Sequence, residues 1–378
     1  MGEQRTITAL TGVRALAAVW VVLNHFEKAL LALFPGLRVV EPLLGHGWLG
    51  VEVFFVLSGF IIAHNYARRL AQHETSDVRA FWWARVARIY PVHLATLAAM
   101  LGLLVAAKLT GTALNTADNY TVGNVTANIL LAQAVPGFHG INWPSWSVSC
   151  EAAAYLVFPL LAGGLMRLSG RAALRAAAAV LVVGVVGMQL DGLASGTWAQ
   201  LDYSVMWLRI AVEFAAGALL WVWWSRRGRL GYGGDAAAVG SVVATVVGVS
   251  LTGRDAPAAF VVLPFLALFV VAVACARGPV ARLLSSAPLQ WGGRVSYSLY
   301  MVHSLVFLVA EKLVGWDRFA GSALSTRLAV AGAIGGLILL AACAAYYLVE
   351  EPGRRLVRSW TSTEGVRPPA VDPSGASG

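Results

Sequence analysis

Residues 258–276 read AAFVVLPFLALFVVAVACA, and residues 176–188 read AAAAVLVVGVVGM. Neither stretch carries a charge, and neither alternates polar with apolar. A membrane barrel is built from short alternating segments, so this pattern is not a barrel's. An α-helix needs roughly 20 apolar residues to cross a bilayer. In hydrocarbon a backbone must satisfy its own hydrogen bonds, which leaves helices as the spanning element here.

Working outward from these runs, the same reading predicts ten spans, at 8–34, 48–67, 90–108, 146–166, 173–190, 203–224, 236–250, 258–276, 292–314 and 327–349. Composition agrees. Of 378 residues, 58% are hydrophobic and 12% are charged, where an ordinary soluble domain carries about a quarter charged residues. A water-soluble chain of this length needs a charged surface that these residues do not supply. Disordered and disulfide-scaffold classes are excluded by the high apolar content and by only three cysteines. Cys150, Cys275 and Cys343 stand far apart in apolar surroundings, with no second cysteine near any of them for a bridge or a metal site. Cys150, beside Glu151, is the one with any case as a nucleophile. The expected fold class is therefore all-α, a polytopic integral membrane bundle of about ten helices.

The first twelve residues, MGEQRTITALTG, are short and polar and do not read as a cleavable signal peptide. Residues 6–356 form the expected membrane-embedded domain. Residues 357–378 form an expected disordered tail rich in Pro, Gly and Ser. The connection 109–145 is long for a bundle and carries the polar run 115-NTADNYTVGN-124; connections of that kind are usually lids, binding loops or disordered, and this one, with Tyr120, His139 and Trp143, is expected on the outer side. No internal repeat is visible, which weakens a transporter or flippase reading, since many such folds carry two related halves.

The net charge of +9 invites a nucleic-acid reading, but its distribution along the chain points elsewhere. Given the ten spans, one side receives 19 basic residues, among them Arg68, Arg69, Arg85, Arg88, Arg226, Arg227, Arg354 and Arg355, and the other side receives six. The positive-inside bias predicts a multi-pass protein of the cell membrane with both termini in the cytoplasm. The basic face then meets lipid headgroups or an anionic cytosolic substrate, and no nucleic acid is needed.

Ionisable residues inside spans are costly and are functional candidates by default. Arg14 and His25 lie eleven residues apart in the first span; eleven steps of about 100° return to nearly one face with a rise of about 16 Å. The pair could line two ends of one elongated cavity, or could sit at the two interfaces with Arg14 snorkelling to headgroups. In the second span, Glu52 sits early, and 58-SG-59 reads as a small-residue packing step rather than a nucleophile. In the fourth, Ser147, Glu151 and Tyr155 share one face. Ser147 also suits a helix cap, whereas Glu151 needs a partner. Arg209 and Glu213, at i and i+4, read most simply as an internal ion pair. Ser296, Tyr300 and His303 make a second polar stripe in the ninth span. Glu350 and Glu351 end the tenth, where basic groups such as Arg354 and Arg355 should offset them. Arg85 and Arg88 stand at i and i+3 before the third span, as ordinary anchors or as a phosphate clamp.

Taken together, these segments resemble the acyltransferase 3 family of integral membrane O-acyltransferases. The likeness extends over roughly 6–356. It is carried by Arg14 and His25, by 50-GVEVFFVLSGFII-62, by Arg85 and Arg88, by 146-WSVSCE-151, by 296-SYSLYMVH-303 and by 349-VEEP-352, in the family's order. One departure is Val148 where the family pattern has Leu. The resemblance implies transfer of an acyl group, commonly acetyl, from acyl-CoA to a hydroxyl of a carbohydrate or of a small molecule such as a macrolide. The outer 109–145 connection would then shape the site of this acceptor.

Chemistry of that kind suggests roles. Coenzyme A carries several phosphates, for which Arg85 and Arg88 are candidates, and a cavity beside Arg14 suits its thin pantetheine arm. His25 would act as general base on the acceptor hydroxyl, with Glu151 orienting it. Tyr300, Ser147 or His303 would stabilise the oxyanion. A covalent acyl intermediate on His25 is an open alternative, and the chemistry requires no metal.

Overall fold

The computed structural model describes residues 7–111, 120–195, 203–227, 233–252 and 257–362. Among these residues nine helices are long and apolar enough to cross a membrane, or ten if one bent pair counts as a single span. The bent pair is the first expected span. Helix α1, Thr8–His25, and helix α2, Glu27–Leu33, meet at 68°. The break is held by a contact between segments. Asn24 Nδ2 donates to the carbonyls of Leu44 and Gly45 at 2.9 Å each. Phe26 then turns inward and packs edge-on against Phe307. The chain is thereby tied to the short helix α3, Glu41–Gly45, before it enters α4, Leu49–Leu70.

Helix α5 runs Thr75–Thr110, starting fifteen residues before the expected span and passing through Pro91. Its first half carries Asp77, Arg79, Arg85 and Arg88, so hydropathy alone does not reveal it. The long connection that follows contains helix α6, Val122–Ile129, capped by Thr121 Oγ1, which accepts from the Asn124 N–H at 3.1 Å. A one-turn 3₁₀ segment, Trp143–Ser145, leads into α7, Trp146–Arg167. Then come α8, Gly170–Ser195; α9, Tyr203–Arg227; α10, Gly233–Leu251; α11, Leu263–Cys275; α12, Pro279–Leu284; α13, Ala287–Leu313; and α14, Leu324–Ala344. A π-helical turn, Ala345–Glu350, joins α14 to α15, Glu351–Ser362. Helix α15 reaches six residues into the expected tail; residues 363–378, and the first part of the polar run in the 109–145 connection, lie outside the described residues.

The centre of the bundle is made of α1, α4, α7, α9 and α13, with α8 and α14 outside them. Val183 and Leu190 on α8 and Leu340 on α14 stand exposed, as side chains facing lipid do. The central helices approach closely where they carry glycine. A Cβ at Gly59 would stand 2.0 Å from the Phe214 carbonyl oxygen, and one at Gly217 would stand 2.1 Å from that of Val56. The two glycines thus let α4 and α9 touch backbone to backbone, the small-residue contact that substitutes for hydrophobic drive in lipid.

One charge cluster sits within this contact. Arg209 on α9 forms an ion pair with Glu52 on α4, both essentially unexposed. Its guanidinium lies 4.6 Å from the Trp146 ring centroid and 5.6 Å from that of Trp48. Arg209 thus takes an ion pair across the helix contact, while Glu213 on its own helix, the partner expected from the sequence, attracts it as well. An Arg that precedes its Glu by four residues is the poorer order for a within-helix bridge, and Glu52 offers a carboxylate in the same buried layer.

Candidate active site

Four levels of polar side chains stack through the central helices, from the end bearing Arg85, Arg88 and Arg354 to the end bearing His25. At the basic end, Arg88 pairs with Glu350, which also accepts from Arg354 at 2.6 Å and from Ser298 Oγ at 2.6 Å. Glu351 pairs with Arg355 at 3.1 Å. The terminal carboxylates thus have the basic partners expected of Arg354 and Arg355. Arg88, however, is already engaged, and its guanidinium also lies 5.4 Å from the Tyr297 ring. Arg85 donates to Tyr66 Oη at 3.1 Å and sits 5.2 Å from that ring and 5.6 Å from that of Tyr155.

The next level is an internal cavity of about 130 Å³, lined by residues of α1, α4, α5, α7 and α13. Arg14, Arg85 and Arg88 bound it, together with Ser58, Glu151, Tyr155, Ser147 and Tyr300. Arg14 therefore faces an interior cavity, and the alternative of snorkelling to headgroups is not what is seen. Among the described residues Arg14 makes no hydrogen bond or ion pair; Glu151 and Glu350 attract it at longer range, and Arg88 repels it. Glu151 accepts from Ser58 Oγ at 2.6 Å and from Tyr155 Oη. Sequence reading gave the Ser58–Gly59 step to packing. Gly59 does pack, while Ser58 turns the other way to hold the carboxylate. Cys150 lies outside the cavity lining; it is fully buried, with Sγ 4.0 Å from the Met206 carbonyl on α9.

At the third level Tyr300 and Ser147 close the cavity. Their hydroxyl oxygens are 2.8 Å apart, and both reach the Pro144 carbonyl, Tyr300 at 2.9 Å and Ser147 at 3.1 Å. Two hydroxyl protons serve three contacts, so one hydroxyl donates to Pro144 and the other donates to its neighbour.

The fourth level holds His25 and His303. His303 Nε2 and His25 Nδ1 are 2.8 Å apart. Trp143 stands edge-on to His25 with ring centroids 4.1 Å apart. The expected His25–Glu151 pairing is corrected here. Glu151 belongs to the cavity with Ser58 and Tyr155, and the partner of His25 is His303. Both residues were legible as candidates, but helix periodicity places a residue on a face without saying which face it meets. His25 does not line the cavity; the Tyr300–Ser147 pair borders it, and the Tyr300 and His303 rings are 5.8 Å apart.

A sequence profile described as an acyltransferase domain matches residues 7–347. The chain belongs to the acyltransferase 3 family. Among its relatives in that family, it is 30% identical to "Acyltransferase MdmB" of Streptomyces mycarofaciens, over 97% of this chain and 96% of that protein. It is 22% identical to "O-acetyltransferase OatA" of Staphylococcus aureus, over 80% of this chain and 51% of that protein. No solved structure matches the chain. Acyltransferase 3 membership and the bundle of long apolar helices agree on a membrane protein of the acyltransferase class. Sequence reading finds the motif residues and names Trp143 among those that shape the acceptor site, but it does not bring Trp143 beside the histidine pair and does not single out Asn142. The 143-WPSW-146 run, an aromatic turn just before the Ser147–Glu151 face, was the available signal.

Proposed function

We propose that the protein moves an acyl group, with acetyl the favoured case, from acyl-CoA to a hydroxyl of a carbohydrate or small molecule. The observation that carries this reading is the cavity bounded by Arg14, a half-buried cation that makes no hydrogen bond or ion pair among the described residues, in a membrane bundle. An ionisable side chain held there calls for an anionic or strongly polar ligand. The cavity has room for the thioester end of a substrate. The adenine nucleotide and its phosphates would stay on the basic face, which the positive-inside bias puts in the cytoplasm; Arg85 would meet them there, while Arg88 and Arg354 share Glu350.

The acyl carbonyl would come to rest against Ser147 and Tyr300. An oxyanion forming there would draw a hydroxyl proton away from the Pro144 carbonyl, so the donor is already in place and only changes partner. His25 would take the proton of the acceptor hydroxyl. The acceptor oxygen bonds to the acyl carbon, the carbon–sulfur bond breaks, and the proton passes to the CoA thiolate. His303 would hold the His25 ring and fix which nitrogen faces the acceptor. His25 lies in the last turn of α1, whose partial negative charge has the sign that suits a ring taking up a proton. Glu151, away from His25, would set the shape and charge of the cavity wall and balance Arg14.

Isothermal titration of acetyl-CoA into the protein in lipid nanodiscs tests the donor side. Arg14→Gln is expected to weaken binding by about tenfold or more, the loss of one charge-assisted contact. Unchanged binding would remove Arg14, and with it the cavity, from the donor site.

A further inference from the structure

Trp143 is held in front of His25 through one neighbouring side chain. Asn142 is buried, with 1% of its surface exposed. Its Nδ2 donates to the Met301 carbonyl at 2.9 Å, and its Oδ1 accepts from Ser304 Oγ at 2.5 Å. Met301 and Ser304 flank His303 on α13, and Ser304 is fully buried. An amide that uses its donor and its acceptor together has a single orientation. Asn142 thus fastens the lead-in to α7 onto the part of α13 that carries His303. The next residue is Trp143, followed by Pro144, whose fixed φ starts the tight 3₁₀ turn. The indole then stands edge-on to His25 at 4.1 Å and 6.0 Å from the His303 ring. It is 38% exposed, although the two histidines beside it are mostly or wholly covered.

The donor cavity ends at Tyr300 and Ser147, and Trp143 does not line it. Trp143 therefore borders His25 on a surface that the donor does not occupy. An exposed indole beside the base offers a flat apolar wall with a polar rim, which suits a neutral ring compound carrying hydroxyls. We propose that Trp143 is the wall of the acceptor entrance and that Asn142 is a positioning residue that sets this wall against His25. The acceptor class that fits is a neutral hydroxylated ring such as a pyranose. This rests on the acyl-transfer reading with His25 as base.

The test uses the full-length protein in nanodiscs, acetyl-CoA as donor and n-octyl β-D-glucopyranoside as probe acceptor, with acetyl-CoA binding measured in parallel. Trp143→Ala is expected to raise the KM for the glucoside about tenfold while the KM for acetyl-CoA moves less than about twofold, and Trp143→Phe to restore most of the loss. Asn142→Ala is expected to lower kcat/KM for the glucoside about a hundredfold, the cost of a wall displaced by an ångström. Asn142→Asp keeps the bond from Ser304, loses the bond to Met301, and should fall between. A merely structural role would shift both substrates together, and that result overturns the proposal, as does a Trp143→Ala protein with unchanged glucoside kinetics. Wild-type protein that binds acetyl-CoA and acetylates 1-octanol but not the glucoside also overturns it, leaving acyl transfer intact. Wild-type protein that does not bind acetyl-CoA sinks the donor reading beneath it.

Discussion

His25 and His303 share a 2.8 Å contact between Nδ1 and Nε2, although 278 residues separate them. One proton sits in that contact, so one ring donates and the other accepts. When His25 donates from Nδ1, its Nε2 is left as an acceptor for a hydroxyl proton. The second histidine therefore does what a carboxylate does in other base dyads, without placing a charge beside the first.

His303 is expected to matter almost as much as His25. His25→Ala should lower acyl transfer about 10²–10⁴-fold, the usual contribution of a positioned base. His303→Ala should approach that loss, and His303→Gln, which can still bond Nδ1 of His25, should retain more. Radiolabelled acetyl transfer at matched protein amounts measures this. A His303→Ala protein with near wild-type turnover would detach the pair from catalysis.

The Arg209–Glu52 pair should be a clamp for the fold and not a reacting group, since neither residue lines the cavity. Arg209→Leu leaves Glu52 buried without its cation and is expected to destabilise by about 3–5 kcal/mol. Arg209→Leu combined with Glu52→Leu should recover a large part of that. Thermal denaturation midpoints in detergent, with Glu52→Leu as the second single variant, decide it; a double variant whose loss is the sum of the two single losses would mean that the two charges act independently.

Gly59 and Gly217 should tolerate nothing larger than a hydrogen at Cα. Gly59→Ala places a methyl against the Phe214 carbonyl oxygen, where ideal geometry leaves 2.0 Å. Backbone cannot yield as a side-chain tip does, so α4 and α9 must separate, and the contacts around Ser58 go with them. Low yield of monodisperse protein, against normal yield for Gly102→Ala in open space, is the expected outcome in size-exclusion chromatography.

Much of the bundle could be read from hydropathy, because lipid demands long apolar runs whatever the neighbours are. The exceptions have physical causes. The bend after His25 depends on Asn24 bonding to Leu44 and Gly45, a contact between segments that periodicity cannot see. The early start of α5 is hidden by its charges. Among the polar residues, Arg14, His25, Glu151, Tyr300 and His303 stood out because an ionisable or hydroxyl group in a span requires a partner. Their partners did not stand out. Glu151 and His25 both read as catalytic, yet the carboxylate takes Ser58 and Tyr155, both on its Oε1, in place of the imidazole. Arg88 reads as an anchor or as a phosphate clamp, and its partner Glu350 lies 262 residues further along the chain, beyond what spacing can reveal.

A cryo-EM map of the protein in nanodiscs with a non-reactive acetyl-CoA analogue tests the placement of the donor most directly. The pantetheine arm is expected to run past Arg14 between α1, α4 and α7, with its acyl carbonyl within hydrogen-bond distance of Ser147 or Tyr300 and its phosphates outside on the Arg85 and Arg88 face. Analogue density seated elsewhere, with the cavity beside Arg14 filled by lipid, would contradict it.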